Sequence, residues 1–116
     1  MAKVEITPVK LEQNGFGDLV WTAGTTDGFK IPMTAKDNKI LMLFQNTGTS
    51  AATVTLKCGN GIQGVNDLAA YSIAASGITA IEPESGAFKN VSGEDKGYAV
   101  VVPSATAVKC AVVVLP

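Results

Sequence analysis

The sequence predicts an all-β fold in which short, mostly antiparallel strands pack as one β-sandwich. Strand-like runs of β-branched and aromatic residues recur about every ten residues, and small turn-forming residues separate them. Helical periodicity competes only at Asp67–Ala75, where a short helix is the alternative to a strand. Regularly spaced strands with turn signals between them are typical of sandwiches and barrels.

Two prolines mark the strands of the N-terminal third. Pro8 ends the first run, so residues 1–10 are expected to form an N-terminal arm or an edge strand. Pro32 has no amide hydrogen to donate to a ladder, which predicts an edge position for its strand. The loop QNGFGD is rich in turn formers. The strands predicted here are Val4–Thr7 with its continuation Val9–Glu12, Leu19–Thr22 and Phe29–Met33.

Ile40–Asn46 (ILMLFQN) carries the strongest strand signal in the chain. Both of its alternating faces are apolar, which predicts a central strand that is covered on both sides or has one face in an interface. Ala52–Cys58 alternates cleanly, with Thr53, Thr55 and Lys57 expected to point outward.

The C-terminal half continues the pattern to the last valine-rich segment. Tyr98–Val102 is expected to pair with Val108–Leu115 across the turn PSATA. The glycine-rich GNGIQG is expected to be a loop that needs positive φ angles, and Pro83–Asp95 is the longest irregular stretch. The other strands predicted are Asp67–Ile73 and Ile78–Glu82. We therefore predict eight or nine strands in one domain spanning residues 1–116, either Ig-like or jelly-roll in character.

Composition favours a protein that assembles with others. Its 116 residues correspond to one domain. Charged residues make up 16% of the chain, below the roughly 25% that is usual for soluble domains, and apolar residues make up 47%. A small domain with so little charge often hides part of its surface in an oligomer or a larger assembly.

Charge and hydropathy argue against nucleic acid and membrane as partners. The net charge is −1, and all nine cationic side chains are lysines scattered along the chain, whereas nucleic-acid binding usually needs a clustered basic patch. No segment approaches 18 consecutive apolar residues, and the N-terminal MAKVEITPVK does not resemble a secretory signal. We expect the chain to stay in the cytosol of the cell that makes it until it is assembled.

The residue inventory predicts a protein without catalytic residues, cofactor or metal. The chain has no histidine, which removes the common triads and most metal sites. The alternation of residue types along their strands predicts that Cys58 and Cys110 both point inward. There they form either two buried free thiols or a disulfide. The carboxylates Glu94 and Asp95 are adjacent in a turn, which is typical of a solvated loop.

Three aromatic side chains are candidates for contact with a partner protein: Trp21, Phe29 and Phe88. The alternative for Trp21 is the core of a sandwich, and the alternative for Phe29 is the core beside a sheet edge. Phe88 lies in a polar loop and is the best of the three candidates for an external contact.

From Leu41 onward, about two thirds of the chain resembles small bacteriophage proteins of the head-decoration or auxiliary capsid type. The similar segments are LMLFQNTGTSAATVTLKCG, GVNDLAAYSIAASGITAIEP and YAVVVPSATAVKCAVVVLP. The first forty residues match more loosely, through a first strand containing Thr-Pro and a segment of the type D-L-x-W/F-T.

The resemblance implies a β-sandwich that binds the outside of an expanded capsid and reinforces the junctions between its subunits. The partners it implies are the major capsid protein or other virion proteins, with a homo-oligomer such as a trimer as a further expectation. The location it implies is the virion, after synthesis in the bacterial host cytoplasm. It transfers no individual site residue. Alternative functions are a tail, neck or fibre component and a module that binds carbohydrate or a cell surface.

Overall fold

Ten strands form the framework of the protein in the part of the chain that the structure describes. This structure, a computed structural model, describes residues 3–25, 27–34, 39–60, 66–83 and 88–116. The prediction of an all-β fold is confirmed, but the predicted count of eight or nine is too low because Pro8 divides the N-terminal run into strands of two different sheets. The strands are β1 (Val4–Glu5), β2 (Val9–Lys10), β3 (Thr22–Ala23), β4 (Phe29–Pro32), β5 (Ile40–Asn46), β6 (Ala52–Leu56), β7 (Tyr71–Ile73), β8 (Ile78–Ile81), β9 (Tyr98–Pro103) and β10 (Val108–Val114).

The strands form two five-stranded sheets. Sheet A has the order β1-β4-β9-β6-β7, and sheet B has the order β2-β10-β5-β8. The short β3 pairs with the same side of β10 as β2, further toward the start of β10. The pairs β1–β4 and β2–β10 are parallel, and all the other pairs are antiparallel.

The inward faces of the two sheets meet in an apolar core, as in a sandwich-like arrangement. In β5 the predicted alternation is confirmed, since Ile40, Met42 and Phe44 are buried while the residues between them are half-buried. The Phe29 ring of sheet A packs on the Phe44 ring of sheet B, with centroids 6.2 Å apart and planes at 52°, a tilted arrangement that aromatic pairs favour. Burial of this kind is the main stabilising contribution to a domain of this size.

The predicted edge position of the Pro32 strand is wrong, because β4 lies between β1 and β9. The last β1–β4 pair joins Glu5 to Lys30, so β1 ends before it reaches Pro32. On the β9 side, the Met33 amide donates to the Gly97 carbonyl at 3.0 Å. Because successive residues of a strand point their amides to opposite sides, the Pro32 nitrogen faces away from β9. On that side β1 has already ended, so no inter-strand hydrogen bond requires an amide hydrogen at Pro32.

The predicted hairpin between the last two strands is also wrong. β9 lies in sheet A between β4 and β6, and β10 lies in sheet B beside β5. Four of the six residues in β9 and five of the seven in β10 are buried. Two strands this apolar are each better covered as the centre of a separate sheet than as an exposed hairpin.

Several predicted strands are shorter than expected, and two of them lose more than half of their residues. The run Leu19–Thr22 contributes only Thr22 to β3, and Leu19 and Val20 are exposed. Of Asp67–Ile73 only the last three residues form β7, and residues 66–70 are exposed without adopting the alternative helix. The Asp67 carboxylate is held instead by Lys57 and by the amide of Cys58.

The glycine-rich loop needs its first glycine for space rather than for a positive φ angle. A methyl group on Gly59 would overlap the Lys89 carbonyl oxygen and come within 2.9 Å of the Phe88 carbonyl carbon. Residues 61–64 of this loop and residues 84–87 of the stretch Pro83–Asp95 lie outside the described residues.

The two cysteines are free thiols: Cys110 is buried, and Cys58 lies half-buried beyond the end of β6.

Candidate functional site

The segment joining β2 to β3, residues 11–21, forms a loop at the edge of sheet B. It begins with a turn in which the Gly15 amide donates to the Glu12 carbonyl at 3.0 Å. Asn14 has a φ of 62°, a left-handed conformation that asparagine tolerates better than most residues. A methyl group on Gly17 would lie 2.6 Å from Leu11 Cδ2 and 3.1 Å from Val9 Cγ1, so the loop backbone rests on these side chains. We call this segment the 11–21 loop.

The 11–21 loop displays apolar side chains to solvent. Phe16 is fully exposed, at 107% of its reference area, and Leu19 and Val20 are 42% and 61% exposed. Covering a side chain such as Phe16 is worth about 1.5–3 kcal/mol.

The three aromatics predicted as partner contacts do not form one surface. Phe29 is fully buried in the core, so it is unavailable to a partner in this fold. Trp21 is half-buried beside β3 and is not among the buried core residues. Phe88 is half-buried and packs against the core, rather than lying exposed in its loop.

A second feature is an apolar cleft between β7, at the edge of sheet A, and β8, at the edge of sheet B. Its volume is about 400 Å³, within the range of ligand pockets. The cleft opens because edge residues that face inward are left partly uncovered. Tyr71 pairs with the buried Val54, yet its side chain is 59% exposed. The floor consists of the core side chains Phe44, Val54, Leu56 and Val101.

The rim of the cleft comes from three segments. Leu68, which is 42% exposed, lies on the segment before β7, and its amide donates to the Leu56 carbonyl at 2.9 Å. Thr79 and Ile81 form the wall on the β8 side. All the lining residues are uncharged, so the cleft suits an apolar, uncharged occupant.

An ion pair fixes the segment that carries Leu68. Lys57 Nζ lies 2.7 Å from Asp67 Oδ2, and the Cys58 amide donates to Asp67 Oδ1 at 2.8 Å. The hydrogen bond from Lys57, followed by that from the Cys58 amide, lowers the pKa of Asp67 to about 2. The same hydrogen bond raises the pKa of Lys57. The pair therefore ties the end of β6 to the entrance of the cleft.

Sequence reasoning missed both Phe16 and the cleft. Phe16 lies in QNGFGD, which was correctly predicted as a loop, and the flanking glycines were a signal that its side chain would stand alone. The cleft gave no such signal, because it depends on β7 and β8 being edges of opposite sheets.

Two kinds of feature are absent from the described residues. Among residues 3–25, 27–34, 39–60, 66–83 and 88–116, no three metal-ligating side chains cluster together. The same residues contain no helix with the length and hydropathy needed to span a membrane.

Comparison with known proteins gives no relative: no protein-family model, curated protein or solved structure matches this chain.

Proposed function

We propose that this protein is a non-enzymatic structural component of a bacteriophage virion, and specifically a decoration protein that binds and stabilises the expanded capsid. The observation that carries the proposal is the fully exposed Phe16 on the 11–21 loop. A side chain of this kind is typical of the anchors that dominate protein interfaces. The resemblance of residues 41–116 to small decoration proteins supplies the kind of assembly.

The proposed fold type and location follow from the same assignment. The two sheets form a β-sandwich of Ig-like or jelly-roll character, in which successive strands often cross between sheets, as β5–β6, β7–β8 and β9–β10 do here. The chain is made in the bacterial host cytoplasm and then carried on the virion. Its partners are the major capsid protein or other virion proteins, together with further copies of itself.

Stabilisation of the capsid follows from mass action. A protein that binds only the expanded shell lowers the free energy of that shell relative to its precursor. Many weakly bound copies hold it firmly when each copy contacts more than one neighbour.

Co-sedimentation with phage particles tests the proposal. The purified chain is mixed with procapsids, with expanded heads and with isolated tails of its phage, and the bound copies are counted. We expect saturable binding to expanded heads only, with a copy number that matches one class of lattice position. Binding to tails alone would replace decoration by the tail or neck alternative. If the chain binds none of the three particles, the virion assignment is wrong.

A further inference from the structure

We propose that Phe16 of one copy inserts into the cleft between β7 and β8 of a second copy. This contact rests on the proposed function, in which copies of the chain also contact one another, and deepens it by naming the two surfaces that join the copies; it needs no capsid. It links the most exposed apolar side chain of the described residues to the apolar cleft.

The shapes of the two features match. Phe16 stands between Gly15 and Gly17, which have no side chains to obstruct its entry into a narrow opening. A cavity of about 150 Å³ lined by apolar side chains is enough to hold benzene. The cleft, at about 400 Å³, has room for the Phe16 ring and for an aliphatic neighbour such as Leu19.

The chemistry of the two features also matches. The cleft is lined only by uncharged residues, so a charged or strongly hydrated occupant would lose hydration without compensation. The rim offers Tyr71, a residue that is 59% exposed, as an aromatic neighbour for Phe16. Covering Phe16, Tyr71 and Leu68 together removes three exposed apolar side chains from water.

The topology requires the occupant to come from another molecule. The 11–21 loop joins β2 and β3 at one edge of sheet B, whereas β8 forms the opposite edge. Three inter-strand steps separate β2 from β8, a distance of about 14 Å that β10 and β5 fill. A contact between opposite edges is head-to-tail, and such contacts close into rings or extend into open chains.

The area available predicts a weak contact. Phe16 contributes about 200 Å², and the walls that cover it contribute a similar area. The sum of about 400 Å², with smaller additions from Leu19 and Val20, falls below the roughly 1,200 Å² of a specific, stable interface. The contact should therefore be transient for dilute protein and populated when copies are held close together.

Photo-crosslinking from position 16 identifies the occupant directly. The chain carrying p-benzoylphenylalanine at position 16 is irradiated with no other protein present. Its concentration is about 1 mM, which matches the effective concentration of copies that a short tether holds together. Cross-linked peptides are then identified by mass spectrometry. We expect intermolecular cross-links to residues 66–81. They should disappear with Ala69→Arg, which places a charge at the mouth of the cleft from an exposed position. Cross-links elsewhere, or a monomer without cross-links, would overturn the proposal.

A mixing experiment tests the head-to-tail geometry. Phe16→Ala keeps an intact cleft, and Ala69→Arg keeps an intact loop, so each variant alone should remain monomeric in sedimentation velocity at high concentration. An equal mixture should form a one-to-one pair, whereas a mixture that stays monomeric would contradict the proposal. Both positions are exposed, so both variants are expected to fold. These assays contain no phage particle, so their outcome is independent of the co-sedimentation result.

Discussion

At the scale of single residues, Asn46 shows how one buried polar side chain organises several turns. It is 1% exposed, and its Nδ2 donates to the Ser50 carbonyl at 2.8 Å and to the Ile73 carbonyl at 3.0 Å. Its Oδ1 accepts the Gly48 amide at 2.9 Å. The side chain thus holds the turn after β5 and connects it to the end of β7, which explains in physical terms the asparagine that ends this strand.

Replacing Asn46 should therefore lower the free energy of unfolding by more than the small size of its side chain implies. Asn46→Ala removes all three hydrogen bonds, including the buried one to the Ile73 carbonyl, and we expect a loss of about 1–3 kcal/mol in the free energy of unfolding, measured in urea. The control is Thr49→Ala, at an exposed position in the same turn, which should change the value by less than about 0.5 kcal/mol. Equal, small effects of both changes would show that the Asn46 bonds do not stabilise the fold.

Phe16 and Phe88 are the same residue type in different environments, so replacing each with alanine should affect the free energy of unfolding differently. Phe88 packs against the core, so Phe88→Ala should lower the free energy of unfolding by about 1–3 kcal/mol. Phe16 is fully exposed, so Phe16→Ala should leave it within about 0.5 kcal/mol of wild type. Denaturant melts of both variants check the assignment. A larger loss for Phe16→Ala than for Phe88→Ala would contradict these positions.

At the scale of elements, the Lys57–Asp67 pair joins β6 to the segment that forms the cleft rim. Asp67 comes ten residues after Lys57, yet its carboxylate also binds the Cys58 amide. The strand β7 begins only at Tyr71, and Leu68, next to Asp67, lies beside the cleft. One exposed ion pair thus connects the end of β6 to the residues that precede β7.

The same pair predicts how stability depends on pH. Because the pKa of Asp67 is about 2 in the folded chain, below its ordinary value of 3.8, the unfolded chain binds the proton more tightly. The contribution of Asp67 is fully present above its ordinary pKa and is lost as the pH falls through 2.

Urea unfolding of wild type and Asp67→Asn at several pH values tests this dependence. The gap in free energy of unfolding between the two proteins should be widest above about pH 4 and should narrow toward pH 2. Asp18→Asn, a matched change on the 11–21 loop, serves as the control. A gap for Asp67→Asn that does not change with pH would mean that the ion pair does not affect folding.

At the scale of the whole molecule, the sequence predicts the strands better than their arrangement. Alternation is a local property, so the faces of β5 and β6 could be predicted from their residues alone. Membership of a sheet is not local, and for that reason the apolar β9 and β10 were wrongly paired as a hairpin.

In the candidate site, too, the features that depend on local sequence could be predicted, and those that depend on the arrangement of the strands could not. The loop that carries Phe16 was predictable from its turn formers. The exposure of Phe16 was not predictable, because it depends on how the rest of the chain packs around the loop. The cleft requires the consecutive strands β7 and β8 to be the edges of opposite sheets, which no local pattern encodes.

We expect Phe16 to be covered when this protein is assembled on a virion. The most direct measurement is the affinity of wild type, Phe16→Ala and Val91→Ala for expanded heads of its phage. Val91 is the control because it is 55% exposed and lies outside the 11–21 loop. We expect Phe16→Ala to weaken binding tenfold or more, as for an interface hot spot, and Val91→Ala to leave it unchanged. Equal binding by all three proteins would contradict the claim.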